Sequence, residues 1–148
     1  MLGTMWHKVS VGEYGINKPC GVILCYPVLT SKLGHSHEGS FHNLLGTTSP
    51  TDEQLASVSI ENNVDERSAP AFIWHTAADT CVPVESALRY ASQMAKHNRP
   101  FELHVYPFGG HGGSTFDLQT LNTGNDIAKY NSRWVQEAGE WLKLMNLL

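Results

Sequence analysis

Asp79, in Trp74-His75-Thr76-Ala77-Ala78-Asp79-Thr80-Cys81-Val82-Pro83, and His111, in Tyr106-Pro107-Phe108-Gly109-Gly110-His111-Gly112, are the two side chains of this sequence best suited to hand a proton along. An imidazole can take the proton of an attacking hydroxyl and return it to a leaving group. A carboxylate can hold that ring in the required tautomer and stabilise the imidazolium that forms. Taken singly, a loop Asp is most often a turn or cap residue, and a Gly-flanked His a solvated turn. Here each follows a short apolar run, the carboxylate precedes the imidazole, and one amphipathic stretch lies between them. That is the chain order of an acid and base serving a nucleophilic hydroxyl. The glycines at 109, 110, 112 and 113 allow a tight backbone path that can aim the ring inward.

The elements that must position this pair are readable from apolar spacing. Gly21 to Tyr26, Pro70 to His75 and Phe101 to Tyr106 are short apolar runs expected to form parallel strands, the first of them buried on both faces and ended by Pro27. A helix is predicted from Pro83 to about Asn98, with Glu85 at the positive end of its dipole and Ala87, Leu88, Ala91, Met94 and Ala95 as its apolar stripe. A long C-terminal helix is predicted from Asn125 or Asp126, burying Ile127, Tyr130, Trp134, Ala138, Trp141 and Met145. Leu2 to Gly15 resembles the tail of a helix followed by a loop. Leu29 to Ser68 is polar and irregular, with a short helix at Asp52 to Val58, and is long enough to be a lid-like, pocket-forming insertion. Strands alternating with helices predict an α/β fold with right-handed crossovers, and ligands of such sheets bind beyond the carboxyl ends of the strands, where Asp79 and His111 fall.

Composition narrows the class. With 41% hydrophobic and 16% charged residues and a formal net charge of -4, the chain gives no reason to expect nucleic acid or an anionic membrane as partner, which leaves a small molecule. No stretch approaches the roughly 18 consecutive apolar residues of a membrane span, and Met1 to Ser10 lacks the form of a signal peptide, so a cytoplasmic location is expected. Cys20, Cys25 and Cys81 are too few and too irregularly spaced for a disulfide framework or a zinc site. No cofactor is implied. The 148 residues are short for an α/β domain of about 200 or more, and no repeat or linker divides them, so residues 1–148 read as a single partial domain.

Other chemistry-bearing residues carry weaker signals. Gly34-His35-Ser36-His37-Glu38-Gly39 places a Ser between histidines and glycines, but the glycine spacing is wrong for a nucleophile at a sharp strand-to-helix turn, and the nearest strand ends well before it. His35, His37 and His42 lack a third ligand at a characteristic spacing, so a solvated loop is expected rather than a metal site. His75 and His104 lie within strands and read as hydrogen-bonded structural residues. Cys25 reads as a buried thiol, and nothing marks Cys81 as reactive.

The blocks Ala71–Asp79 through Val82-Pro83-Val84, and Phe101–Pro107 through Gly109-Gly110-His111-Gly112, resemble the C-terminal half of an α/β-hydrolase esterase. The nearest branch is the acetyl esterase and acetyl xylan esterase-like group, with the prolyl oligopeptidase catalytic domain more distant. Val22–Val28 resembles the sixth strand of that branch and Gly39–Gly46 the segment after it. The resemblance implies a serine esterase acting on small acyl or acetyl esters, acetylated carbohydrate among them, with Asp79 as acid and His111 as base. It also implies a partial α/β-hydrolase fold, because no Gly-x-Ser-x-Gly occurs in these residues and no oxyanion segment of the His-Gly-Gly type precedes the acid, the run at His111-Gly112-Gly113 being the base loop, while Met1–Lys8 resembles the stretch after the nucleophile elbow. The N-terminal strands and the elbow are thus missing, and the chain alone is expected to be inactive. Two other readings stay open: a non-catalytic remnant or binding protein, and part of a prolyl oligopeptidase-type serine peptidase. With its neighbours absent, the Gly21 to Tyr26 strand is expected to be an apolar edge that pairs with an N-terminal half or a second copy.

Overall fold

The computed structural model describes residues 1–7, 17–32, 34–116 and 126–148. Three parallel strands form one sheet in the order β1-β2-β3: β1 Val22–Cys25, β2 Ala71–Thr76 and β3 Phe101–Tyr106. Register pairs Trp74 with Cys25 on one side and with His104 on the other. The helices are α1 Leu2–Met5, α2 Glu38–Leu45, α3 Asp52–Val58, α4 Glu85–Lys96, α5 Asp126–Asn131 and α6 Trp134–Leu144, with a 3-10 turn at Ile60–Asn63. The α/β class, the parallel sense and the limits of β3 agree with expectation. The part of the expected N-terminal loop from 8 to 16 lies outside the described residues.

Alternation along β2 builds the two layers. Ala71 and Ile73 meet Ala87, Tyr90, Ala91 and Met94 of α4, while Phe72 and Trp74 meet Ala128, Ala138 and Trp141 of α5 and α6. All four β2 residues are fully buried. On α4 the buried stripe is Ala87, Tyr90, Ala91 and Met94, a spacing of three and four; Leu88 and Ala95, expected inside, face solvent because Tyr90 occupies the place against the sheet. Asn98, at φ 51, turns the chain out of this helix toward β3.

Three expectations are corrected. β1 is not buried on both faces: Ile23 is 41% exposed, because β1 is an edge strand and no described element covers that residue. β3 is likewise half-exposed, as the opposite edge. The long C-terminal helix is two helices, broken at Ser132 and Arg133, and the face turned inward on α5 carries Ala128 and Asn131 rather than Ile127 and Tyr130. The reason is a polar contact, since Asn131 turns inward to donate to the Phe108 carbonyl.

The 29–68 segment is more ordered than its composition suggests. Besides α3, which Thr51 and Gln54 cap reciprocally, it contains α2, ended by Gly46 at φ 68. Its return is tied down by a buried carboxylate: Glu61 accepts from Thr30 Oγ1 and from Ser59 Oγ, while Ser86 Oγ of α4 accepts from the Leu29 N–H. Among the described residues no helix is long and apolar enough to cross a membrane.

Candidate active site

Asp79 leaves β2 on a tight turn, its backbone N–H donating to Thr76 O. Its Oδ1 accepts from the backbone N–H groups of Cys81 and Val82, both at 2.9 Å, so the carboxylate closes the turn that feeds α4. The side chain is fully buried. Burial, the strongest single influence on this group, favours the neutral acid; the Val82 N–H, His111 and the Cys81 N–H together outweigh it, and the carboxyl titrates below its ordinary value.

His111 Nδ1 lies 2.8 Å from the remaining oxygen, Asp79 Oδ2. An ionised carboxylate only accepts, so Nδ1 carries the hydrogen and the neutral ring keeps its Nε2 lone pair free. The imidazole is about one-third exposed, and its carboxylate is sealed below it. Such a ring is oriented on one nitrogen and open to a proton on the other, the arrangement general-base chemistry requires.

Three hydrogen bonds hold the loop that carries His111. Thr76 Oγ1 donates to Gly109 O at 2.7 Å, Asn131 Nδ2 donates to Phe108 O at 2.7 Å, and Trp134 Nε1 donates to Ser114 O at 2.9 Å. Gly109 adopts φ 124, and an added Cβ there would stand 2.8 Å from Asn131 Nδ2. Gly112 adopts φ 81. Two of the four loop glycines therefore serve backbone shapes that other residues rarely take. Tyr26, at the end of β1, lays its ring edge-on to His111 at 4.9 Å between centroids.

The structure brings Asp79 and His111 together and leaves the other chemistry-bearing residues elsewhere. Ser36 sits in a bend before α2, and among the described residues no strand leads into it and its hydroxyl has no hydrogen-bond partner. His37 pairs with Ser40. Among the described residues no cluster of His, Cys, Asp and Glu is placed to hold a metal ion. His75 is fully buried with Nε2 unpartnered, and His104 pairs with Glu102 at 2.7 Å. Cys25 is half-buried rather than buried, and partial burial pushes its thiol pKa up. Cys20, Cys25 and Cys81 are all free.

Sequence reasoning passed over Thr76, Asn131 and Trp134, which aim the base, and Tyr26, which touches it. The strand-end pair Tyr26-Pro27 was the one visible signal, because a residue before proline is restricted.

A model of the prolyl oligopeptidase family matches residues 27–138, a span containing all of α2 to α5 and both members of the Asp79–His111 pair. The chain belongs to the prolyl oligopeptidase family. Among related sequences, this family member is similar to endo-1,4-beta-xylanase B of Butyrivibrio fibrisolvens, 42% identical over 95 residues that make up 64% of this chain and 15% of the xylanase. Among solved structures, it is similar to an acetyl ester-xyloside bifunctional hydrolase of Caldicellulosiruptor lactoaceticus, 34% identical with a TM-score of 0.77 over 89% of this chain and 44% of that one. It is also similar to a sugar hydrolase of Lactococcus lactis, 33% identical with a TM-score of 0.70 over 93% of this chain and 53% of that one. This prolyl oligopeptidase-family chain thus spans about half the length of the solved relatives, and its sheet with flanking helices is part of an α/β-hydrolase fold.

Proposed function

We propose that this chain supplies the acid, Asp79, and the base, His111, of a serine ester hydrolase acting on small acyl or acetyl esters, acetylated carbohydrate among them. The observation that carries the reading is the 2.8 Å hydrogen bond from His111 Nδ1–H to a fully buried Asp79 carboxylate at the carboxyl ends of neighbouring strands. A serine hydroxyl supplied from outside these 148 residues would give its proton to His111 Nε2 as it attacks the ester carbonyl. The imidazolium, stabilised by Asp79, would then protonate the departing alcohol. The oxyanion donors belong outside as well, since no Gly-x-Ser-x-Gly occurs in the sequence and its one His-Gly-Gly run, His111-Gly112-Gly113, carries the base itself rather than an upstream oxyanion segment. Residues 1–148 act as one partial domain in which 29–68 walls the substrate side. Three free cysteines suit a cytoplasmic setting.

Carbohydrate enters through the relatives, whose names specify a xylanase, an acetyl ester-xyloside hydrolase and a sugar hydrolase. A second reading, peptide hydrolysis after proline, is favoured by the family model alone. Both are tested by joining the preceding half of the Caldicellulosiruptor enzyme to residues 1–148 and assaying p-nitrophenyl acetate beside Gly-Pro-p-nitroanilide. Ester turnover that disappears with His111→Ala is expected. Turnover of the anilide alone supports the peptidase, and a folded chimera inert toward both overturns the catalytic assignment.

We place self-association on the same physical footing. The outer edge of β1, which pairs with no strand among the described residues and leaves Ile23 exposed, is an apolar pairing surface for a second copy of the chain.

A further inference from the structure

Tyr26 ends β1 in a conformation its neighbours should forbid. Its φ is 38, in the left-handed region that a bulky residue rarely enters, and it precedes Pro27, which pushes the preceding residue toward extended backbone. Backbone held this way persists only when surrounding contacts over-determine it, and such positions gather at functional sites. The contacts here are aromatic. The Tyr26 ring stands edge-on to Trp74, with centroids 4.9 Å apart at 85°, and edge-on to His111, 4.9 Å apart at 74°.

Trp74 is a buried backstop for this wedge. It is fully buried, lies parallel to Trp134 at 5.2 Å and is flanked by Phe116 at 5.5 Å. Trp134 in turn donates its indole N–H to Ser114 O in the loop that carries His111. The imidazole is thus held along its Nδ1 direction by Asp79 and on a second side by the ring of Tyr26, which itself packs on Trp74 of β2. Hydrogen bonding to Asp79 alone would leave the ring free to swing about the Nδ1–Oδ2 line. An aromatic neighbour removes that freedom at little conformational cost, since a tyrosine ring has few rotatable bonds.

We infer that Tyr26 is a positioning residue for His111: its strained strand-end backbone presses the phenol ring against the imidazole and so holds Nε2 in line for the incoming hydroxyl. The inference rests on the proposed role of the Asp79–His111 pair, and it makes the ring, not the hydroxyl, the working part of Tyr26.

The test is long-range 1H–15N NMR of the His111 imidazole in the full chain, comparing wild type, Tyr26→Phe, Tyr26→Gly and Asp79→Asn at a pH where the ring is neutral. Tyr26→Gly is chosen because glycine accepts φ 38 without strain, which separates loss of the ring from damage to the backbone. The Nδ1–H tautomer should dominate in wild type, in Tyr26→Phe and in Tyr26→Gly, where the Asp79 hydrogen bond is intact, and be lost in Asp79→Asn. In the chimera with the Caldicellulosiruptor half, kcat for p-nitrophenyl acetate should fall at least tenfold in Tyr26→Gly with KM little changed, and recover in Tyr26→Phe. A wild-type kcat in Tyr26→Gly, with the tautomer lost in Asp79→Asn, overturns the role of Tyr26 and leaves the pair standing. A tautomer unchanged in Asp79→Asn as well overturns both. Failure of Tyr26→Phe to match wild type overturns the assignment of the role to the ring.

Discussion

Asn131 reaches across 23 positions of sequence to donate its side-chain N–H to the carbonyl of Phe108 at 2.7 Å, fastening the C-terminal helices to the loop that carries His111. The residue is almost fully buried, and the same contact turns Asn131, not Ile127 or Tyr130, toward the protein interior. Asn131→Ala removes a part-buried hydrogen bond whose carbonyl belongs to an exposed residue, which costs about 0.5–1.5 kcal/mol. Chemical denaturation should show this loss, and hydrogen exchange should show faster opening confined to residues near 107–114.

Gly109→Ala is expected to be worse than its size suggests. An added Cβ meets Asn131 Nδ2 at 2.8 Å and Thr76 Cγ2 at 3.1 Å, at a backbone φ of 124 that side chains avoid. Both hydrogen bonds holding this turn, from Thr76 Oγ1 and from Asn131, must move. Gly110→Ala, where an added Cβ meets nothing, is the matched control. A thermal melt of the two should separate them by several degrees, and equal melting temperatures would refute the close approach.

In the chimera with a nucleophile-bearing half, Asp79→Asn and His111→Ala should each reduce ester hydrolysis by orders of magnitude, about 10⁴-fold by analogy with the loss of the orienting carboxylate in other triads. The fold should survive both changes. An amide oxygen at position 79 can still accept from Cys81 and Val82, and the His111 side chain is about one-third exposed. Circular dichroism and p-nitrophenyl acetate kinetics on the same preparations check this, and near-normal turnover in either variant removes that residue from the mechanism.

Two buried groups set the acid side of the stability curve. His75 is held below its ordinary pKa, chiefly by burial, so the unfolded chain takes up its proton first: its contribution is present above about pH 6.5 and declines as pH falls from there toward the lower folded value. Asp79 is also lowered, so its contribution is present above the ordinary carboxyl value near about 4 and is lost as pH falls through its folded value. Thermal melts should therefore show two successive declines. His75→Asn should flatten the first and Asp79→Asn the second, and a curve unchanged by either substitution contradicts the burial argument.

Ile23→Lys should make the chain more monodisperse. The strand edge beside Ile23 has no described partner, and a charge at such an edge opposes further pairing. Light scattering after size exclusion is the check; a wild-type chain that already runs as a monomer, with a single cooperative melt, refutes self-association through β1.

How far these features were readable differs by element. β2, β3 and α4 announce themselves, since Phe72-Ile73-Trp74 is apolar on both faces and Ala87, Ala91 and Met94 recur at helical spacing. The order of Asp79 and His111 is likewise written in the chain, and local turns deliver both to neighbouring strand ends. The exposure of Ile23 was not legible, because whether an apolar strand is central or at an edge depends on what pairs beside it. Nor was the break at Ser132: the spacing from Ile127 to Met145 is compatible with one continuous helix, and a single inward amide at Asn131 overrides it. Helix α2 was hidden by its polar composition and by a preceding His37 that makes no capping bond. Tyr26 escaped because pattern reveals a face, not a φ.

The three clasps from Thr76, Asn131 and Trp134 carry a consequence for how such a site changes over time. The donors, the carbonyls they seize and the carboxylate beneath the imidazole all come from β2 and from residues C-terminal to it. With the Tyr26 ring after β1 added, everything that aims the base lies from β1 onward, whichever scaffold presents the hydroxyl. Recombination that replaces the elements preceding β1 exchanges the surface met by the substrate while conserving the proton-handling apparatus, Tyr26 included. Selectivity and acid–base competence are heritable separately.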